Sequence, residues 1–167
     1  MHNTFTQMKD IKERIFGIIR SISRPETEAV ISYLSKSNYF TRGCWSHHKE
    51  RGGLARHSLE VYEHMFSHAV GYPSDSIAVI ALFHDLGKTV HRSEYGPGHG
   101  HRSVAILDEL GFPLTREERT AISHHHGFFR GNCPIRSFLK SADCTSARNW
   151  SEARHRGHGH HSMLSRP

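Results

Sequence analysis

The sequence lacks a long hydrophobic run. In its 167 residues, no stretch approaches the about 18 consecutive apolar side chains that a membrane-spanning helix needs, so we expect no membrane association. The first residues, MHNTFTQMKDIKERIF, show no apolar segment followed by a small-residue cleavage site, and we expect no secretory signal. Cysteine is also scarce. Cys44, Cys133 and Cys144 are widely spaced without a CxxC motif, which indicates reduced thiols and a cytoplasmic protein.

The alternation of polar and apolar residues that is typical of strands is missing as well. Residues 9–22 instead place isoleucines three and four positions apart, which predicts an amphipathic helix. Residues 77–83 are almost wholly apolar and predict a buried helix. Thr115 with Glu118 three positions later is a capping box, which marks a helix start. The sequence therefore predicts an all-α fold, a compact bundle of six or seven short helices.

Charge and composition divide the chain into three parts. We expect N-terminal helices over residues 1–36, a helical core over residues 37–147 and a flexible tail over residues 148–167, rich in histidine and arginine. The net charge is +6, and half of it lies in that tail. A positive field favours anionic partners, such as a phosphorylated small molecule or a nucleotide. The tail is a candidate for weak contacts with nucleic acid through its phosphates.

Histidine is unusually abundant, with 17 residues. His84 and Asp85 stand at the end of the apolar helix, where burying an imidazole and a carboxylate is costly unless something satisfies them. A divalent cation does so, because neutral imidazole and ionised carboxylate are its usual ligands. The pair taken alone also fits a simple hydrogen-bonded helix end. A metal held by both residues lies at a helix end or between helices, or two metals share the carboxylate.

Further histidines and an aspartate lie near other predicted helix ends or on faces that could turn inward. Together they suit a metal site in the core of a helical bundle: His57, His101, the triplet His124–His126, and Asp143. Each also has a simpler interpretation. His57 and His101 suit helix caps, the triplet suits a solvated turn, and Asp143 suits a cap or an internal ion pair.

The order of these residues resembles the H…HD…D signature of the HD-domain metal-dependent phosphohydrolases. The resemblance covers about residues 38 to 147, which makes residues 37–147 the expected HD domain. The double histidine before the first motif is similar to the HH-x-x-x-GGL-x-x-H form of HD-class 3′→5′ exoribonucleases. The motifs that carry the resemblance are GGLARHSLEV at 52–61, FHDLGK at 83–88, ISHHHG at 122–127 and AD at 142–143.

The resemblance implies one or two divalent transition metals per chain, drawn from Fe, Mn, Ni, Co and Zn. One metal would be held by His57, His84, Asp85 and Asp143. In members with further histidines, a second metal shares the aspartate of HD, and here His101 and His125 would hold it. His124 and His126 are alternative ligands within the triplet.

The activity that the resemblance implies is cleavage of a phosphoester of a nucleotide or a short oligonucleotide by metal-activated water. Asp85 and Lys88 receive the catalytic roles, although Lys88 also suits a cation at a helix end. The candidate substrate-binding residues are Lys88, His47, His48, Arg51, His126 and Arg102. They fit a solvated charged surface equally well, and the sequence predicts no oligomeric state.

Two other functions use the same ligands. One is a di-iron oxygenase of the HD fold, and the other is a metal-stabilised binding module without activity. The chain has no GYP-type motif after the double histidine, which disfavours the cyclic-di-GMP phosphodiesterases. It also lacks the N-terminal nucleic-acid-binding domain of the exoribonucleases, which disfavours processive RNA degradation.

Overall fold

The computed structural model describes residues 4–90, 98–127 and 129–158. This part of the chain is all-α, with seven α-helices and no strand, which confirms the predicted fold class. A short 3₁₀ turn, Leu86–Thr89, follows the fourth helix. The helices are α1 (Thr4–Arg20), α2 (Thr27–Lys36), α3 (Gly53–His68), α4 (Ser74–Phe83), α5 (His99–Glu109), α6 (Arg116–Ser123) and α7 (Pro134–His158).

Helix α4 lies at the centre of the fold. It packs against α1, α3 and α6, so its residues from Ile77 to Phe83 are all buried. A helix surrounded on all sides carries apolar residues around its whole circumference, which explains the unbroken apolar segment in the sequence. The end of this buried helix therefore places His84 and Asp85 inside the protein, where both are buried.

Two glycines bring α5 close to the end of α4 and to α6. A Cβ atom on Gly87 would collide with the carbonyl oxygen of His99, and one on Gly100 would collide with that of Ile122. Ser103 joins α5 to the end of α4, since its hydroxyl accepts from the Gly87 amide at 2.8 Å and contacts the His84 carbonyl oxygen at 2.8 Å. These close approaches fix the first turn of α5 beside Asp85.

The start of α6 is fixed as predicted. Thr115 and Glu118 form the capping box. Glu118 is 1% exposed, and its two carboxylate oxygens accept from the Arg24 guanidinium at 2.6 and 2.7 Å. Ser76 donates to the same carboxylate at 2.7 Å. One side chain thus joins α6 to α4 and to the segment between α1 and α2.

Helix α7 extends well into the predicted flexible tail. Residues 148–158, which we expected to be part of a flexible tail, are helical, and residues 159–167 lie outside the described part. Trp150 explains the extension. Its indole nitrogen donates to the Glu50 carboxylate at 3.0 Å, and its ring stacks on His48 at 5.7 Å between centroids. A large aromatic contact of this kind stabilises a polar helix segment.

The N-terminal helices pack against the rest of the bundle. Helix α1 contacts α2, α3 and α4, and its isoleucines at positions 11, 15 and 19 are buried. Across the described ranges, none of the helices has both the length and the apolar character that crossing a membrane requires.

Candidate metal centre

Five structural elements deliver polar side chains to one buried point. His57 lies in the second turn of α3, and Asp143 lies in the middle of α7. The other four residues stand at helix ends, where backbone direction changes and side chains can converge. These are His84–Asp85 after α4, His99 at the start of α5, and His125 directly after α6.

Asp85 is the hub of this cluster. The residue is 1% exposed. Its Oδ1 atom lies 3.1 Å from Nε2 of His99 and 3.6 Å from Nε2 of His125. Its Oδ2 atom lies 3.5 Å from Nε2 of His84 and 3.7 Å from Nε2 of His57. Each carboxylate oxygen therefore faces a different pair of histidines.

Asp143 extends the cluster on the side of α7. Its Oδ1 atom lies 3.1 Å from Nε2 of His57, and its Oδ2 atom lies 3.5 Å from Nε2 of His126. Asp143 is buried, whereas the His126 side chain is 55% exposed. His126 thus stands where the buried cluster opens to solvent.

Backbone carbonyls fix the orientation of two rings. Nδ1 of His84 donates to the Ala81 carbonyl at 2.9 Å, and Nδ1 of His125 donates to the Ile122 carbonyl at 2.7 Å. A carbonyl oxygen only accepts, so the ring proton is assigned to Nδ1 in both residues. The lone pair on Nε2 then points toward Asp85, which is the arrangement of metal-ligating histidines.

His57 is oriented by side chains instead. Its Nδ1 atom lies 3.0 Å from the Ser146 hydroxyl, and that hydroxyl donates to the Glu60 carboxylate at 2.6 Å. Because the Ser146 proton is given to Glu60, its oxygen accepts from Nδ1 of His57. Nε2 of His48 also meets Glu60, at 3.0 Å. This series of hydrogen bonds again leaves the lone pair on Nε2 of His57 free to bind a metal in the centre.

Burial sets the protonation of the cluster. Desolvation lowers the pKa of His84 to about 3, so the imidazole is neutral at pH 7. Burial alone would raise the pKa of Asp85, but the neighbouring His84 ring and the Lys88 ammonium hold it well below its usual range. Burial also tends to raise the pKa of Asp143, but the neighbouring His57 ring reverses this effect and lowers that pKa.

The cluster fits a divalent transition metal. In the described residues, Nε2 of His57, Nε2 of His84 and Oδ1 of Asp85 are buried without a hydrogen-bond partner. Buried polar atoms in this state cost free energy unless another group satisfies them. Neutral imidazole nitrogens and ionised carboxylate oxygens are the donor set that Zn²⁺, Fe²⁺ and Mn²⁺ accept.

Two groups of donors share Asp85. The first is His57, His84 and Asp85, and the second is Asp85, His99, His125 and His126. Within each group, the donor atoms lie within 4.8 Å of one another. In the second group, the Nε2 atoms of His99 and His125 approach to 3.0 Å. The arrangement can hold an ion on each side of the Asp85 carboxylate.

The structure does not bring two of the predicted ligands into the cluster. His101 is exposed, and its ring packs at 5.0 Å against the ring of His124. The His124 ring also stacks on Phe129 at 5.2 Å, away from Asp85. His99 takes the place assigned to His101. Residues two apart on a helix point about 200° away from each other, so only one of them can face Asp85.

Helical phase could have identified His99 from the sequence. The buried residues Ile106 and Leu107 lie seven and eight positions after His99, on the same helix face. The position seven after His101 is Asp108, which is exposed. The order of residues in the motif pointed to His101, and the apolar spacing of α5 points to His99.

Lys88 lies inside the centre rather than at its mouth. The residue is 5% exposed, and Nζ donates to Oδ2 of Asp85 at 2.5 Å. Burial alone would lower the pKa of Lys88, but the Asp85 carboxylate raises it above its usual value. The ammonium group also lies 5.9 Å from the ring centroid of Trp45, which is 42% exposed. Lys88 therefore stays charged beside Asp85.

The remaining predicted substrate-binding residues fall in different environments. His47 is half-buried, with its ring 4.5 Å from that of His57. His48 is buried against Glu60, so it supports the centre from behind. Arg51 is exposed. Arg102 is 2% exposed and its Nε donates to the Gly87 carbonyl at 3.1 Å, so it holds α5 in place rather than lining the mouth.

A family model described as HD domain matches residues 54–151, more than half of the chain. The match begins in α3 just before His57 and ends in α7 just after Trp150, so it includes every residue placed around Asp85 above. Comparisons with curated proteins and with solved structures gave no match.

Proposed function

The chain belongs to the HD domain family, and on that premise we propose that it is a metal-dependent phosphohydrolase acting on a nucleotide or a short oligonucleotide. The family consists mostly of metal-dependent phosphohydrolases. The similarity of the double-histidine motif to that of exoribonuclease HD domains stays a prediction, and it is our reason for including oligonucleotides among the substrates.

One observation carries the proposal. His57 and His84 present buried ring nitrogens without hydrogen-bond partners toward a carboxylate, among the described residues. Such unpaired polar atoms are unfavourable in a hydrophobic core, whereas a divalent cation satisfies all of them together. When bound, divalent metals lower the pKa of a coordinated water and neutralise phosphoryl charge, which is the chemistry of phosphoester hydrolysis.

We propose a binuclear centre with Asp85 shared. His57, His84 and Asp143 would hold one ion with Oδ2 of Asp85, and His99 and His125 would hold the other with Oδ1. The separate distances from the two Asp85 oxygens to these rings support the division. Imidazole and carboxylate donors leave Fe, Mn, Co, Ni and Zn as candidates.

The chain's own residues prepare the centre for a phosphate ester. Lys88 offsets the charge of Asp85 inside the site. His126 and His47 stand toward solvent, and burial lowers the pKa of the half-buried His47 to about 4, so that ring is neutral at pH 7. Trp45 is partly exposed with its ring 6.0 Å from that of His99. A planar base at the mouth would stack on Trp45.

The test compares Asp85→Asn with Asp108→Asn as a matched control. Asp108 makes an exposed ion pair with Arg119 at 2.7 Å and lies outside the centre. We expect the wild type and the control to purify with about two metals per chain and to hydrolyse nucleotide phosphoesters with Mn²⁺. Asp85→Asn should lose the metal and more than about 100-fold of activity, since even residues behind the ligands contribute 10- to 100-fold.

Other outcomes would contradict the proposal. Metal-dependent O₂ uptake without phosphate release would favour an oxygenase. Bound metal without turnover on mononucleotides, dinucleotides and longer oligonucleotides would favour a metal-stabilised binding module. No metal in the wild type after reconstitution with Mn²⁺ or Fe²⁺ would remove the basis of the phosphohydrolase proposal and of both alternatives.

A further inference from the structure

Helices α3 and α7 face each other with matching pairs of polar residues beside the metal centre. On α3, His57 and Glu60 are three positions apart, and on α7, Asp143 and Ser146 are three positions apart. Residues at this spacing are neighbours on one face of a helix, and α3 packs against α7. His57 and Asp143 belong to the cluster around Asp85. Glu60 and Ser146 therefore lie about one turn further along the same interface.

Ser146 joins His57 to Glu60 by hydrogen bonds. Its hydroxyl lies 3.0 Å from Nδ1 of His57 and 2.6 Å from Oε2 of Glu60. Burial tends to raise the pKa of Glu60, but hydrogen bonds from His48 and Ser146 lower it, so the carboxylate is ionised at pH 7 and only accepts. The Ser146 hydroxyl therefore donates to Glu60, and its oxygen accepts from Nδ1 of His57.

Asp143 offers a competing acceptor on the other side of the His57 ring. Its Oδ1 atom lies 3.1 Å from Nε2 of His57, a distance at which a proton on Nε2 would form a hydrogen bond. A neutral imidazole carries its proton on either Nδ1 or Nε2. With the proton on Nε2, the ring would donate to Asp143 and present no lone pair to a metal in the centre. With the proton on Nδ1, the lone pair on Nε2 is available.

We propose that Ser146 and Glu60, here called the relay, are positioning residues that hold the proton of His57 on Nδ1 and so keep its Nε2 lone pair available to a metal ion. Nε2 of His57 is one of the buried atoms of the described residues that lack a hydrogen-bond partner, as expected for this tautomer. Without the relay, the proton would move to Nε2 and bond to Asp143. This inference rests on the proposed metal-dependent function, and it adds two residues that support a ligand without touching the metal.

The relay acts on one side of the Asp85 carboxylate. On the other side, the ring of His125 is oriented by the Ile122 backbone carbonyl, which a substitution in the relay leaves in place. We therefore expect loss of the relay to weaken binding of the ion held by His57 and to leave the ion beside His125 bound. Hydrogen-bond partners behind metal-ligating histidines contribute about 10- to 100-fold to metal affinity.

Two variants remove the relay, and each has a matched control on the same helix. The variants are Ser146→Ala and Glu60→Ala, and the controls are Ser151→Ala on α7 and Glu63→Ala on α3. The Ser151 hydroxyl donates to the Ala147 carbonyl of its own helix, and Glu63 is exposed in an ion pair with Arg14. Ser146→Ala leaves the contact between Glu60 and His48 in place, so it removes the relay with the smaller disturbance of the two. Circular dichroism checks that all four proteins fold.

The first measurement is the position of the His57 proton in the metal-free protein. Long-range ¹H–¹⁵N NMR correlations distinguish the two tautomers of histidine, and a His57→Gln variant identifies the signals of this ring. We expect the proton on Nδ1 in the wild type and in both controls. We expect it mainly on Nε2 in both relay variants, because Asp143 then offers the acceptor.

The second measurement is the affinity for Zn²⁺, determined by competition with a chelator. We expect both relay variants to bind one ion about 10- to 100-fold more weakly than the wild type and the other ion with unchanged affinity. At the lowest free Zn²⁺ concentration that fills both sites of the wild type, the relay variants should therefore hold about one ion per chain. The controls should match the wild type.

The outcomes separate this inference from the proposed function. Relay variants with the tautomer and affinity of the wild type would overturn the inference and leave the proposed function intact. A weaker affinity with an unchanged tautomer would also overturn it, because the two residues would then act through packing, and so would a changed tautomer with unchanged affinity. A wild type that binds no Zn²⁺ would remove the proposed function, whereas the tautomers of the metal-free proteins would still decide whether the relay holds the His57 proton.

Discussion

Charge balance at Asp85 shows why the centre needs a cation. The buried groups are two carboxylates, Asp85 and Asp143, whose pKa values both lie below their usual range, and one ammonium, Lys88. The buried His84 ring is neutral at pH 7. These groups leave an excess negative charge in the interior, and an unpaired buried charge is strongly destabilising. A divalent ion makes the net buried charge positive, and it also binds the free lone pairs of the histidine nitrogens.

At the scale of single residues, His99 and His101 give the sharpest prediction. We expect His99→Ala to reduce the metal content from about two ions per chain toward one, because its Nε2 lies 3.1 Å from Asp85. We expect His101→Ala to keep the full content, because that side chain is exposed and packs on His124. Elemental analysis of both variants beside the wild type is the measurement.

The two substitutions control for each other, since both remove an imidazole from the first turn of α5. Equal loss of metal in both would mean that α5 does not present His99 to Asp85 in solution. Loss in His101→Ala alone would restore the assignment made from motif order.

At the scale of helices, both local patterns formed as predicted, whereas motif order predicted only part of the cluster. The apolar segment at 77–83 and the capping box of Thr115 and Glu118 depend on neighbouring residues, and both form as predicted. His57, His84, Asp85, His125 and Asp143 were expected from the motif, and the structure brings them together. Which residue at the start of α5 faces Asp85 depends on helix rotation and on the close approach of Gly87, which spacing within a motif does not encode.

The length of α7 could not be predicted for a different reason. Residues 148–158 are rich in charge and poor in apolar side chains, a composition typical of disorder. The helix continues because Trp150 meets His48 and Glu50, which are about a hundred positions earlier in the chain. Such long-range contacts leave no local signal, so the helical conformation of residues 148–158 appears only in the structure.

Glu118 yields the prediction at this scale. We expect Glu118→Gln to reduce the free energy of unfolding by about 3 kcal/mol at pH 7, because it leaves the Arg24 guanidinium without its partner. Glu117→Gln is the matched control, since Glu117 lies in the same turn and is exposed. Urea denaturation of the three proteins measures the difference.

The loss of stability caused by Glu118→Gln should become smaller as the pH falls. Burial tends to raise the pKa of Glu118, but hydrogen bonds from Arg24 and Ser76 lower it below the unfolded value of 4.5. A carboxyl group with a lowered folded pKa stabilises the protein above its unfolded pKa and loses that contribution as pH falls through its folded pKa. The difference in free energy of unfolding between wild type and Glu118→Gln should therefore be at its full value above about pH 5 and decrease below pH 4.5. A difference that stays constant down to pH 3 would show that the ion pair does not cause it.

At the scale of the whole molecule, the centre joins parts that are distant in sequence. Its candidate ligands come from α3, from the ends of α4, α5 and α6, and from α7, and those helices pack against one another. A metal bound at their meeting point would therefore stabilise the bundle as a unit. Binding to the folded state alone adds about 4 kcal/mol when free metal exceeds Kd by a thousandfold.

Chelation should therefore lower the melting temperature. For a chain of this size, about 4 kcal/mol corresponds to roughly 10 °C. We expect EDTA to cause a drop of this order in the wild type, measured by differential scanning calorimetry, and excess Mn²⁺ to restore it. Asp85→Asn should melt at the same temperature with and without EDTA, because it holds no metal to lose. A wild type that loses its metal without any change in melting would place the ions outside the buried cluster, since removing them from the meeting point of five elements must weaken the fold.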